Sequence, residues 1–191
     1  MSRIGIYGGS FDPVHIGHLL VARAAMEEMS LSSVIFVPAA RSPFKSNLEP
    51  AAADFRLSML NLALENVDNM EVSDWEVTNG GLSFTIRTVE HFREIYPNCE
   101  IVYIIGADQC SGLHKWKSAQ ELSKLVQFAV IPRPGVDDTK VTHGFMGTLL
   151  KGVPIDLSSS SIRKRISQNL SIRWLVPEKV EDFIHRNNLY L

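Results

Sequence analysis

The sequence predicts an α/β protein built on a doubly wound, mainly parallel sheet with helices on both faces. Three observations point that way. The runs Ile4–Tyr7, Val34–Pro38, Glu100–Ile105 and Phe128–Ile131 are short, apolar and bulky, as strands buried on both faces are. Helical stretches separate them, and strands alternating with helices form parallel crossover units. Residues able to carry chemistry gather at 8–18, 106–108 and 158–163. Each group follows a predicted strand, and open parallel sheets bind ligands beyond the carboxyl ends of their strands.

The elements follow in order. After the first strand, His18–Met29 is an amphipathic helix with Leu19, Ala22, Ala25 and Met26 on one face. Val34–Pro38 is a second buried strand, stopped by its proline. A loop from Ala39 to Glu49 carries Arg41 and Lys45, and its charges between proline-bounded elements make 39–50 a candidate lid. Ala51–Leu64 is helical. Met70–Val77 reads as a strand with Val72, Trp75 and Val77 apolar. Asn79-Gly80-Gly81 is a turn, and Ser83 to Tyr96 a helix ended by Pro97-Asn98. Beyond the strand at 100–105, Ala119–Leu125 is a helix. After Phe128–Ile131, Pro132-Arg133-Pro134-Gly135 is a turn. Residues 136–150 favour no element, Val153–Leu157 is a short strand, and helices run over Ser160–Gln168 and Glu178–Asn188.

The 191 residues suit one domain: a core over 1–157 and a small C-terminal helical part over 158–191. At 45% hydrophobic and 21% charged, the chain has the makeup of an ordinary globular protein. A net charge of −2 argues against nucleic acid as a partner, so an anionic ligand must be held by local groups. Cys99 and Cys110 form neither a disulfide framework nor a metal pattern. No signal-peptide pattern opens the chain, and no apolar run approaches the ~20 residues that span a bilayer. The expected compartment is the cytoplasm, with no membrane partner. A homo-oligomer is left open.

Gly8-Gly9-Ser10-Phe11-Asp12-Pro13-Val14-His15-Ile16-Gly17-His18 is the most informative stretch. A glycine turn between strand and helix cradles phosphate with backbone N–H groups and the positive helix end. It is neither G-x-x-x-x-G-K-[ST] nor G-x-G-x-x-G. His15 and His18 are three apart, so both imidazoles reach the same side, where they stabilise charge in a phosphoryl-type transition state. The plainer reading is a pair of capping side chains. A zinc site lacks a third and fourth ligand at suitable spacing. Ser10 serves either a phosphate or the turn itself. Phe11 is read as packing, with its N–H facing the phosphates, and Asp12-Pro13 as a turn element.

Ser158-Ser159-Ser160-Ser161-Ile162-Arg163 is a second anion site, with hydroxyls and free N–H groups at a helix start and Arg163 one turn in. Simple N-capping is the alternative. In Gly106-Ala107-Asp108 the glycine admits a ribose or base and the carboxylate accepts from ribose hydroxyls; a capped turn is the alternative.

These stretches resemble the signatures of the nucleotidyltransferase superfamily of adenylyl- and cytidylyltransferases: GxFxPxHxGH at 8–18, a G-A-D turn at 106–108, and S-x-T-x-x-R at Ser158, Ser160 and Arg163, with serine at 160 in place of threonine. Further marks resemble the bacterial nicotinate mononucleotide adenylyltransferases over essentially the whole chain. They are Ser83-Phe84-Thr85-Ile86-Arg87-Thr88, Lys115-Trp116, Asn188-Leu189-Tyr190 and Arg41-Ser42-Pro43-Phe44-Lys45, with Phe44 replacing the family's histidine. The resemblance implies a Rossmann-like fold and adenylyl transfer from ATP, with magnesium, to nicotinate mononucleotide. The products are nicotinate adenine dinucleotide and pyrophosphate, formed without a covalent enzyme intermediate. It implies catalytic roles for His15, His18, Lys45 and Arg163. It implies that ATP is bound by Gly8, Gly9, Ser10, Phe11, His15, His18, Gly106, Asp108, Arg133, Ser158, Ser160 and Arg163. Lys45 would neutralise phosphate near the mononucleotide, Trp116 stack on its pyridine ring, and Thr85 hold its carboxylate. No metal is expected on protein ligands. Transfer to nicotinamide mononucleotide or another phosphate acceptor, and a non-catalytic nucleotide-binding role on the same fold, are the alternatives.

Overall fold

The computed structural model describes residues 2–41, 43, 50–132, 143–152 and 155–191. Among them, six strands form one sheet: β1 (Ser2–Gly9), β2 (Ser33–Pro38), β3 (Met70–Val72), β4 (Cys99–Gly106), β5 (Gln127–Ile131) and β6 (Gly147–Leu149). Their order is β3-β2-β1-β4-β5-β6 and every pairing is parallel. The chain moves outward one way from β1 and then returns to its other side at β4. The gap beyond β1 and β4 is therefore the topological switch point, where crossovers on opposite faces leave a crevice.

Helices cover both faces: α1 (Ile16–Met29), α2 (Ala53–Leu64), α3 (Trp75–Asn79), α4 (Thr85–Ile95), α5 (Ala119–Leu125), α6 (Ser159–Ser167) and α7 (Glu178–Arg186). Alternate side chains of the strands feed two cores. Ile4 and Ile6 of β1 join Ile86, Val89 and Phe92 of α4. Phe36 and Ile104 join Ala22 and Ala25 of α1, Met59 and Leu60 of α2, Ile162 of α6, and Val180 and Ile184 of α7. The helices after residue 158 thus bury their apolar faces in the same core as α1 and α2. No helix among the described residues is long and apolar enough to cross a membrane.

The structure corrects several expectations. Only Met70–Val72 of the strand expected to reach Val77 is extended; Trp75–Asn79 is α3. The Ser73 hydroxyl accepts the Trp75 N–H at 3.3 Å and starts the turn. The helix buries Glu76, while the Trp75 ring stacks on His91 at 4.4 Å. The sixth strand is Gly147–Leu149, inside the stretch that favoured no element. Residues 155–157 belong to no strand, and Val153 and Pro154 lie outside the described residues. The 158–163 site therefore follows irregular chain rather than a strand. The turn at 106–108 leads into an unexpected 3-10 helix over Ala107–Lys115.

Candidate functional site

β1 ends in Gly8 and Gly9, and each glycine makes room for a ring. A Cβ on Gly8 would lie 2.2 Å from the Tyr103 hydroxyl, and one on Gly9 would lie 3.0 Å from the Phe11 ring. Phe11 has φ 48 and a buried ring, set edge-on to Tyr7 at 5.4 Å and to His18 at 5.0 Å. It is a packing residue beneath His18, as expected.

His15 is the N-cap of α1 and His18 the third residue of its first turn. Their rings stack, with centroids 3.6 Å apart. The His15 N–H donates to Nδ1 of His18 at 3.1 Å. An accepting Nδ1 places the ring proton of neutral His18 on Nε2, which is then a donor. A Cβ on Gly17 would lie 3.0 Å from the His15 ring, so glycine is what lets that ring fold over the helix start.

On α6, Ser158 caps the helix: its hydroxyl accepts from the Ser161 N–H at 3.1 Å. The Ser159 hydroxyl donates to the Pro13 carbonyl at 2.8 Å and docks the helix on the loop after β1. Arg163 Nη1 donates to the Asp12 carbonyl at 2.7 Å, and Nη2 to the Ser160 hydroxyl at 3.3 Å. The positive ends of α1 and α6 therefore converge on the same loop.

Together these groups wall a cleft of about 890 Å³, a size suited to a nucleotide. Gly8, Gly9, Ser10, Phe11, His15, His18, Gly106, Ser158, Ser160 and Arg163 all line it. Asp108 is exposed, next to the lining residue Gln109. On the opposite face of the sheet, Thr85 is the first residue of α4 and its hydroxyl lies 3.4 Å from that of Tyr103. Half-buried Trp116 meets Tyr103 edge-on at 6.3 Å. Because the Tyr103 hydroxyl also abuts Gly8, Thr85 and Trp116 adjoin the cleft at the switch point. Lys45 and Arg133 lie outside the described residues, as does most of the candidate lid at 39–50.

Several site residues were missed in the sequence. Asp12, read as a turn element, is a buried carboxylate on the cleft. Arg56 is 1% exposed and donates to the Ser10 carbonyl and the Ala51 carbonyl, each at 3.0 Å. Its signal was available: it stands three, four and seven residues before Met59, Leu60 and Ala63, on the core face of α2. Tyr103 and Glu76 carried no such signal.

Glu76 is buried and bonds to the Thr88 hydroxyl. Burial pushes its carboxyl up from the ordinary 4.5, against the pull of Ser83 and Thr88. The fold thus holds this proton more tightly than the unfolded chain does. The associated stability is full below pH 4.5 and is lost as pH rises through the raised folded value. Gln at 76 carries no charge at any pH. The Tm of Glu76→Gln minus that of the parent is expected to grow between pH 4 and pH 8 in thermal melts. A pH-independent difference would contradict the buried-carboxyl account.

Comparison with known proteins adds family evidence. The cytidylyltransferase-like family model matches residues 6–165. A protein of Methylacidiphilum infernorum named "Probable nicotinate-nucleotide adenylyltransferase" is 41% identical over 189 residues, covering 99% of this chain and 92% of its own. One of Opitutus terrae with the same name is 40% identical, with 98% and 97% covered. A structure of the Plasmodium falciparum nicotinic acid mononucleotide adenylyltransferase complexed with NaAD superposes with TM-score 0.82 at 21% identity, over 100% of this chain and 98% of that one. At that identity the likeness speaks to the fold alone.

Proposed function

The chain belongs to the nicotinate-nucleotide adenylyltransferases of the cytidylyltransferase-like family, and from that membership we propose how its cleft transfers an adenylyl group. The reaction joins ATP and nicotinate mononucleotide into nicotinate adenine dinucleotide and pyrophosphate, a step of NAD biosynthesis. A 5′-phosphate oxygen of the mononucleotide attacks the α-phosphorus of ATP. The new P–O bond forms in line as the bond to pyrophosphate breaks. No side chain takes the adenylyl group.

The observation that carries this reading is the convergence of α1, α6, His15, His18 and Arg163 at the switch point between β1 and β4. Phosphoryl transfer needs positioning and charge stabilisation more than covalent help. The Nε2–H of His18 and the Arg163 guanidinium neutralise charge gathering on the departing pyrophosphate. The N–H groups at the starts of α1 and α6 hold the triphosphate, with Gly8, Gly9, Ser10, Ser158 and Ser160 around it. Gly106 and Asp108 take the adenosine. Lys45 and Arg133 add positive charge from their loops. Magnesium would enter with the nucleotide and neutralise part of its phosphate charge there. The phosphate oxygens are its natural ligands. The enzyme is read as cytoplasmic and as one unit, with 158–191 completing the core of 1–157.

The acceptor lies across the sheet end. Trp116 stacks on its pyridine ring. The Thr85 hydroxyl and the first N–H groups of α4, which have no partner within the helix, hold the carboxylate. An amide would turn a donor against these donors. The test compares kcat/KM for nicotinate and nicotinamide mononucleotides. The parent is expected to prefer the acid strongly, and Thr85→Val to lower the acid-to-amide ratio about tenfold, as loss of one hydrogen bond to a charged group does. Equal use of both by the parent would overturn the acceptor assignment.

A further inference from the structure

We propose that Tyr190, acting through the Asp12 carboxylate, is a positioning residue that holds Arg163 in place for the phosphates of ATP. The inference rests on the reading above that Arg163 contacts those phosphates.

Asp12 is 5% exposed and every oxygen has a partner. Oδ1 accepts from the Tyr190 hydroxyl at 2.7 Å and from the Ala51 N–H at 3.1 Å. Oδ2 faces Arg163 Nη1 at 3.6 Å, and that same nitrogen donates to the Asp12 carbonyl at 2.7 Å. A carboxylate on the wall of an anion cleft repels the ligand unless it is fixed and neutralised. Tyr190, with the Ala51 N–H beside it, supplies the fixing. Its hydroxyl pins Oδ1 away from the guanidinium, leaving Oδ2 to orient one edge of the fork while the rest faces the cleft. Burial, and then the bond to Asp12, push the phenol up from its ordinary value, so it stays a donor.

The tail beyond α7 is built to deliver this group. The Leu189 N–H bonds the Ile184 carbonyl at 3.1 Å, and Leu189 and Tyr190 pack on the core shared by α2 and α7. Core packing alone requires a ring and no hydroxyl. Phenylalanine would fill the same space, so the oxygen is the part to be explained.

The experiment measures the Kd of ATP with magnesium by titration calorimetry, which is independent of acceptor and turnover. Four proteins are compared: parent, Tyr190→Phe, Arg163→Lys and the double variant. Lysine keeps the charge but cannot grip Asp12 and Ser160 as a fork does. Tyr190→Phe is expected to weaken ATP about tenfold in the parent and less than about twofold beside Arg163→Lys, the signature of coupled residues. Equal loss in both backgrounds, or none, would overturn the proposal. Should Tyr190→Phe lower the Tm by more than about 5 °C, all four titrations are run well below the lowest Tm of the set, where every variant is folded, under the same criterion. Parent-like ATP binding by Arg163→Lys would remove the premise and the proposal together. Tight binding and intact coupling without dinucleotide formation would overturn only the reaction assigned above.

Discussion

His18→Ala is expected to lower kcat by about a hundred- to a thousandfold, the size seen when a preorganised donor to developing charge is removed. The reason lies in how little freedom the ring has. Its Nδ1 accepts the His15 N–H, one face is stacked by the His15 ring at 3.6 Å, and its edge meets Phe11 at 5.0 Å. The remaining donor, Nε2–H, needs no reorganisation when the pyrophosphate departs. His18 is only half-buried, so its removal opens no deep cavity and the Tm should change little. The expected split is a fall in kcat with the Kd of ATP changed far less, because the donor acts on charge that develops in the transition state. Steady-state rates beside calorimetric binding check it. A parent-like kcat would end the role assigned to His18.

The second large effect is expected from Gly8→Ala. The added methyl would meet the Tyr103 hydroxyl at 2.2 Å, and Tyr103 is 6% exposed, packed edge-on against Phe128 and Trp116. Neither the end of β1 nor the ring can yield cheaply, since β1 pairs with β2 and β4 on its two sides. Overpacking of this kind costs about 1–3 kcal/mol, a fall of about 3–10 °C in Tm for a chain of this length. Activity should fall further than stability, because the displaced ring touches Thr85 on one side and the phosphate loop on the other. A companion variant isolates the cause. Removing the oxygen by Tyr103→Phe leaves the nearest ring carbon at 3.2 Å from the new methyl, so the double variant should regain most of the lost Tm. Failure of Tyr103→Phe to rescue would show that the damage lies elsewhere.

What could be read from sequence was local. The turn at 8–18 places glycines, histidines and a helix start within a dozen positions, so strand, loop and anion site could be inferred together. The serines at 158–163 were legible for the same reason, as a cap followed by a basic residue one turn in. Position alone hid the rest. Asp12 was read as a turn former because its partners, Tyr190 and Arg163, stand 178 and 151 residues away. Glu76 was misread because Trp75 and Val77 imitate strand alternation, while the structure turns the carboxylate between them inward to Thr88. β6 is a three-residue edge strand with only its middle residue half-buried, too short and too exposed to leave a periodic mark. Thr85 was placed at a helix start correctly, yet its neighbour Tyr103 belongs to a strand whose pattern says only that it is buried.

The most direct test of adenylyl transfer at this cleft is a product analysis by mass spectrometry. The purified protein is incubated with ATP, magnesium and nicotinate mononucleotide, with His18→Ala run alongside. The predicted result is nicotinate adenine dinucleotide and pyrophosphate in equal amounts, dependent on the acceptor and nearly abolished in the variant. ATP left intact, or cleaved without dinucleotide, would contradict it.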